Sequence, residues 1–174
     1  CMAHLVFPST KYKKSFLTAV KEFKKENNWY VLTVNMPIEE VSKNFPSYIK
    51  RIRNLAKGIG LVKGYVPETV YWLIDKDKFI GRVAIRHRLT KNLRLVGGHI
   101  GYEVRPSERK KGYGKRILIL ALPKARKLGI KKALITCDET NIASRKIIEH
   151  CGGVLEDARS QGKGKPKKLR FWIY

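Results

Sequence analysis

The chain has 174 residues, 43% of them apolar, which suits one domain with a hydrophobic core and argues against disorder. No apolar run approaches the ~20 residues needed to span a bilayer, and no basic-then-apolar stretch marks a secretory signal. The charge is extreme: 38 Lys and Arg against 14 Asp and Glu give +24, where a small domain ordinarily carries roughly 2–8 in magnitude.

Leu5–Pro8 reads as a short first strand, with Ser9 placed to cap the helix after it. Phe16, Ala19, Val20 and Phe23 fall at helical spacing opposite a lysine face. Ile38 to Lys57 carries Val41, Phe45, Tyr48, Ile52 and Leu55, again helical, and Pro46 is expected to split it in two. Thr69–Asp75 and Phe79–Leu89 form a hairpin about Asp75–Lys78. In its second strand Val83, Ile85, His87 and Leu89 share one face, and Arg82, Ala84, Arg86 and Arg88 the other. A turn at Lys91–Arg94 would bring His87 roughly opposite His99.

The most informative stretch is Gly97 to Gly153. Ile100, Tyr102 and Val104 alternate with His99, Gly101 and Glu103 as in a strand, which Pro106 ends. Arg109, Lys110, Lys111, Gly112 and Gly114 then open an apolar helix running to Lys127, with Pro123 inside it. Strand, basic glycine loop and helix make an anion cradle, because the first helical N–H groups lack partners and the dipole is positive there. The loop lacks the Gly-Lys-Ser/Thr of a Walker motif and the full Gly-x-Gly-x-x-Gly of a dinucleotide fold. A strand at Lys131–Cys137, a helix after Asn141 and a hairpin of Val154–Glu156 with Leu169–Tyr174 about a Ser160–Lys168 turn complete the chain.

Arg109-x-x-Gly112-x-Gly114, with Asn141-x-x-Ser144 further on and Gly152 closing a helix, resembles the GCN5-related N-acetyltransferase (GNAT) superfamily. The resemblance implies an α/β (α+β) GNAT fold, a mixed central sheet of about six to seven strands flanked by about four helices, in a single domain over residues 1–174. It implies an enzyme that carries acetyl from acetyl-CoA to a primary amine, the acceptor being open. Amides from Lys111 to Lys115, including Gly112, Tyr113 and Gly114, would hold the pyrophosphate, with Arg109 and Lys110 adding charge. Glu103, Val104 and Arg105 would lie along the pantetheine arm, the Val104 N–H polarising the thioester carbonyl, and Asn141 would bond the arm with Ser144 nearby. Tyr30, Phe45 and Tyr48 fall where the family builds its acceptor pocket, although core packing is the first expectation for each.

Many members carry a tyrosine acid seven residues after the asparagine; here that position is Ile148. This leaves Tyr102, or Tyr113 if it is not a packing residue of the loop, as replacements, or a coenzyme thiol acidic enough to leave as thiolate unaided. Glu103, His99 and His87 are candidate bases. Cys137, His150 and Cys151 lack the ligand pairs of a zinc site, so no metal is expected. Three cysteines suit a reduced, cytoplasmic protein, a monomer or homodimer, and Cys1 reads as an addition ahead of Met2, the expected initiator. Two readings account for the excess charge: a polyanionic partner such as RNA, the ribosome or an acidic protein, or deliberate supercharging of a GNAT scaffold for assembly or cargo binding.

Overall fold

The computed structural model describes residues 2–174. Strand β1 (His4–Val6) leads through a 3-10 turn, capped by Ser9, into α1 (Lys13–Lys25), followed by the short α2 (Tyr30–Thr33) and α3 (Ile38–Lys43) and by α4 (Phe45–Asn54). Pro46 sits in the first turn of α4, where its missing N–H costs nothing, so the expected division falls at Asn44. Strands β2 (Glu68–Asp75) and β3 (Lys78–Arg86) form the expected hairpin. Lys76 and Asp77 both take positive φ, 48° and 61°, as a two-residue turn matched to strand twist requires.

The segment expected to be a simple turn after β3 is a short helix, α5 (Lys91–Leu95), because the Thr90 side chain accepts from Leu93 N–H and caps it. Then come β4 (Ile100–Val104), α6 (Tyr113–Lys127), β5 (Ala133–Asp138), α7 (Ile142–His150), β6 (Val154–Arg159) and β7 (Lys168–Ile173). Pro123 is exposed and α6 continues past it. Among the described residues no helix is long and apolar enough to cross a membrane.

The strands number seven, but they do not form one mixed sheet. They form two antiparallel sheets, β1-β2-β3-β4 and β5-β7-β6. Between the sheets His99 N–H donates to Leu134 C=O at 2.7 Å, Leu134 N–H donates to His99 Nδ1 at 3.0 Å, and Gly97 N–H donates to Thr136 Oγ1 at 3.0 Å. Gly98 makes this approach possible: a Cβ there would stand 2.3 Å from the Leu134 oxygen. Among the described residues β4 finds its ladder partner only in β3.

Two cores result. Val83, Ile85 and Ile100 pack with Ile117, Leu118 and Phe171 beneath α6 and β7. On the opposite face of the larger sheet, Phe16 of α1 stacks on Trp72 with ring centroids 4.6 Å apart, closed in by Phe45, Tyr48 and Phe79. The face on which a strand residue lies therefore decides which side of β4 it serves.

Candidate active site

The loop between β4 and α6 is held open by its own side chains. Arg109 makes a bidentate pair with Glu26, the residue that ends α1, both distances 2.8 Å, and its Nε donates to the Val104 carbonyl at 3.2 Å. Glu108, buried, accepts from Lys78 and from Lys111, the latter at 3.1 Å. Tyr113 donates its hydroxyl to Asp75 at 2.7 Å, and that bond lifts the phenol to about 12. With these groups drawn back, the backbone is left facing outward. Gly112 begins α6 at φ 84°, its carbonyl accepts from Arg116 N–H at 3.1 Å, and no side chain caps the N–H groups after it. A Cβ on Gly112 would meet nothing within 4 Å. This concave row of unpartnered amides at a helix N-terminus can bind an oxyanion.

Beside the loop runs the unpaired edge of β4. Its ladder bonds to β3 run through Arg86 N–H to His99 C=O at 2.7 Å and Arg105 N–H to Ile80 C=O at 2.8 Å. In an antiparallel ladder the alternate residues, Ile100, Tyr102 and Val104, turn their backbone groups the other way, towards β5. The Tyr102 hydroxyl lies 3.2 Å from Ser144 Oγ, and burial pushes this phenol up to about 12. Asn141 caps α7 by accepting from Ser144 N–H at 3.1 Å. Gly114 fits closely here, since a Cβ would approach Ile147 Cδ1 to 2.8 Å.

Across β4 lies a cavity of about 540 Å³ between α2, α4, the Gly60–Val66 segment and the Thr90–Gly97 segment. Its floor holds Glu68, Arg82 and Arg86. Glu103 reaches the same cluster, 3.5 Å from Arg82. Burial raises the Glu103 carboxyl above its ordinary value, and Arg82 and Arg86 offset this only in part. An oxyanion cradle and an open strand edge thus meet at β4, with the raised Glu103 carboxyl set against an arginine of the cavity floor.

A family model described as an acetyltransferase (GNAT) domain matches residues 22–154. The chain belongs to the GNAT acetyltransferase family. No curated protein sequence matches it significantly. The fold of this GNAT enzyme is similar to that of a microcin self-immunity acetyltransferase, MccE, solved with acetyl-CoA and AMP, at 15% identity and TM-score 0.68 over 97% of this chain and 90% of that one. Mycobacterium smegmatis RimJ, solved with a coenzyme A disulfide, gives 17% identity and TM-score 0.67, covering 97% and 80%. Mutant forms of the spermidine/spermine N-acetyltransferase SpeG of Vibrio cholerae give 15% and 0.60, covering 99% and 94%.

Several residues expected at the GNAT site take other places. Arg105 is buried and bound to Glu22 at 2.7 Å, with further bonds to Ser15 and the Phe79 carbonyl, so it ties β4 to α1 and leaves the cradle. Arg109 and Lys111 spend their charge on Glu26 and Glu108; Lys110 and Lys115 stay exposed beside the cradle. His99 gives its Nδ1 lone pair to the inter-sheet junction, and burial with Arg94 and Arg86 nearby lowers its affinity for a proton. His87 does not face His99: its ring bonds Thr69 at 2.8 Å, and Arg86 occupies the position opposite. Phe45 and Tyr48 are fully buried, Tyr48 donating to the Leu32 carbonyl at 2.6 Å, so only Tyr30 of the three pocket candidates lines the cavity. Glu68 and Arg51 carried no expectation, and Arg82 and Arg86 were placed on a face without a role. Two arginines on one face of an apolar strand were the available signal.

Proposed function

We propose that this GNAT domain takes acetyl from acetyl-CoA along the open edge of β4 and passes it to a primary amine held in the cavity on the other side. The observation that carries the reading is the unpaired β4 edge beside the uncapped N-terminus of α6. The site fits the donor. The Gly112 backbone has open space beside it for phosphate oxygens, and the β4 edge offers free amide and carbonyl groups to an amide-bearing arm. When bound, the donor supplies a thioester whose acyl carbon is electrophilic and whose sulfur leaves as a stable thiol.

The chain's own residues supply the rest. Amides of Gly112, Tyr113, Gly114 and Lys115 bind the diphosphate, with Lys110 and Lys115 adding long-range attraction. The Val104 N–H, on the free edge, polarises the acyl oxygen. Asn141 commits its oxygen to the α7 cap and keeps its amide NH₂ for the arm. Glu103, whose carboxyl burial raises above its ordinary value, takes the amine's proton. The Tyr102 hydroxyl, held by Ser144, keeps its proton at neutral pH and is the donor to the departing sulfur where Ile148 cannot serve. A reduced, cytoplasmic setting belongs to the same reading, supported by the free thiols of Cys137 and Cys151. Calorimetric titration with acetyl-CoA, followed by thiol release over a panel of primary amines, tests it. No binding heat and no thiol from any amine would overturn it.

A second role, binding a polyanion such as RNA, is supported by the distribution of charge. Most of the 14 carboxylates are already engaged, as in Glu22–Arg105, Glu26–Arg109, Glu108–Lys78 and Asp157–Arg170, leaving most of the 38 cations uncompensated. RNA affinity that falls steeply with salt, while acetyl-CoA affinity holds, is the expected result; affinity independent of salt would count against it.

A further inference from the structure

The floor of the cavity contains charges that do not satisfy one another. Arg82 is only 7% exposed, yet its Nε has no hydrogen-bond partner. One of its terminal nitrogens donates to the Val31 carbonyl at 2.9 Å, while its carboxylate neighbours stand off, Glu103 at 3.5 Å and Glu68 at 3.8 Å. Arg86 is likewise 3.8 Å from Glu68. A tight pair of this kind closes to about 2.7–2.9 Å. Elsewhere in the chain the arginines do so: Arg105 meets Glu22 at 2.7 Å and Arg170 meets Asp157 at 2.7 Å. The looseness is local to this floor.

Arg82 and Arg86 both line the cavity, and their loose hold on Glu68 leaves guanidinium donors for an oxygen supplied from outside. Arg51 lines the same cavity, is exposed, and makes no ion pair among the described residues. Arg51, Arg82 and Arg86 against the single lining carboxylate Glu68 make the cavity net cationic. A polyamine, all ammonium and no oxygen, meets repulsion there and leaves Arg82 unsatisfied. The mouth is apolar, with exposed Tyr30, Val62, Tyr65 and Val96 around it.

We propose that the acceptor is an amine bearing its own carboxylate: a free amino acid with an apolar side chain. Its carboxylate lies against the guanidiniums of Arg82 and Arg86 with Arg51 adding charge, its ammonium takes Glu68, and its side chain lies against the apolar mouth. The proposal rests on the acetyl-transfer reading only for the chemical step after binding. In that step the ammonium gives one proton to Glu103, and the N–C bond forms as the C–S bond breaks. The sulfur takes the Tyr102 proton and leaves as the thiol, and the proton shed by the new amide nitrogen restores the Tyr102 hydroxyl.

The test runs the wild-type protein against the twenty amino acids, each matched with its α-amide, and against spermidine, reading thiol release from acetyl-CoA and, separately, calorimetric binding. The expected result is at least one apolar amino acid turned over with kcat/KM about tenfold or more above its amide, the worth of one charged contact, and above spermidine. Arg51→Ala, at an exposed position where folding is not at stake, is expected to raise KM for the acid about fivefold to tenfold and leave the amide unchanged. Spermidine or the amides used as well as the acids would overturn the proposal and leave acetyl transfer standing. Amino-acid binding with no thiol release would support the pocket assignment and overturn acetyl transfer. Transfer to amides with peptide-like side chains alone would point instead to a peptide N-terminus and sink the free-carboxylate inference.

Discussion

His99 and Leu134 exchange two hydrogen bonds, one through backbone groups at 2.7 Å and one through the imidazole Nδ1 at 3.0 Å, and together they join the two sheets. His99→Ala would leave the buried Leu134 N–H without an acceptor and is expected to cost about 1–3 kcal/mol. His99→Asn, whose side-chain oxygen can take the Nδ1 position, should retain most of it. Burial holds the imidazole below its ordinary pKa, so the folded protein resists protonation while the unfolded chain accepts it. The stability from this residue is therefore full above about pH 6.5, declines as pH falls below that, and levels off beneath the lowered folded value. Urea unfolding on both sides of that pH should show a smaller acid loss in His99→Asn than in wild type; equal losses would refute the assignment.

Gly112→Glu places a carboxylate among the α6 amides and should weaken acetyl-CoA binding by about 100-fold, as like charges do when juxtaposed. Gly112→Asn is the control, because asparagine tolerates positive φ and its Cβ meets nothing within 4 Å. Calorimetry of both variants decides the matter; full affinity in the glutamate variant would remove the cradle.

Arg105→Met strands Glu22 and is expected to destabilise the protein by about 3 kcal/mol, as breaking a buried pair does. Acetyl-CoA affinity of the folded variant should stay within about twofold of wild type, since the side chain points to α1. A large affinity loss with little loss of stability would return Arg105 to the donor site.

Tyr102→Phe should lower kcat by at least about tenfold with little change in acetyl-CoA affinity, the mark of a proton donor. Because its hydroxyl lies near about 12, the wild-type rate should show no alkaline fall from this group below about pH 11. Unchanged kcat in the phenylalanine variant would dismiss the role.

The cradle was legible in the sequence because its information is local: Gly112 and Gly114 carry their meaning in conformation and size, and both can be read from spacing. The helices over Phe16–Phe23 and Tyr48–Ile52 were legible for the same reason, through apolar periodicity. Side-chain destinations were not. Arg105 and Arg109 sit beside the cradle in sequence but pair with Glu22 and Glu26, some eighty residues away, and spacing carries no record of such a choice. His87 was misplaced because β3 pairs so that Arg86, one residue earlier, meets His99. The division into two sheets was hidden for a related reason: alternation identifies a strand but cannot say which neighbour it lacks. The cavity charges Glu68, Arg51, Arg82 and Arg86 come from three separate elements and converge only in three dimensions.

The short junction at Gly97 and His99 has a thermodynamic consequence. The larger and smaller sheets behave as two plates sharing a corner, and a molecule lodged between them supplies rungs the chain omits. Occupancy then feeds directly into global stability by mass action. Saturation should raise the melting temperature and slow amide exchange in β5 as well as β4, although those strands belong to different plates.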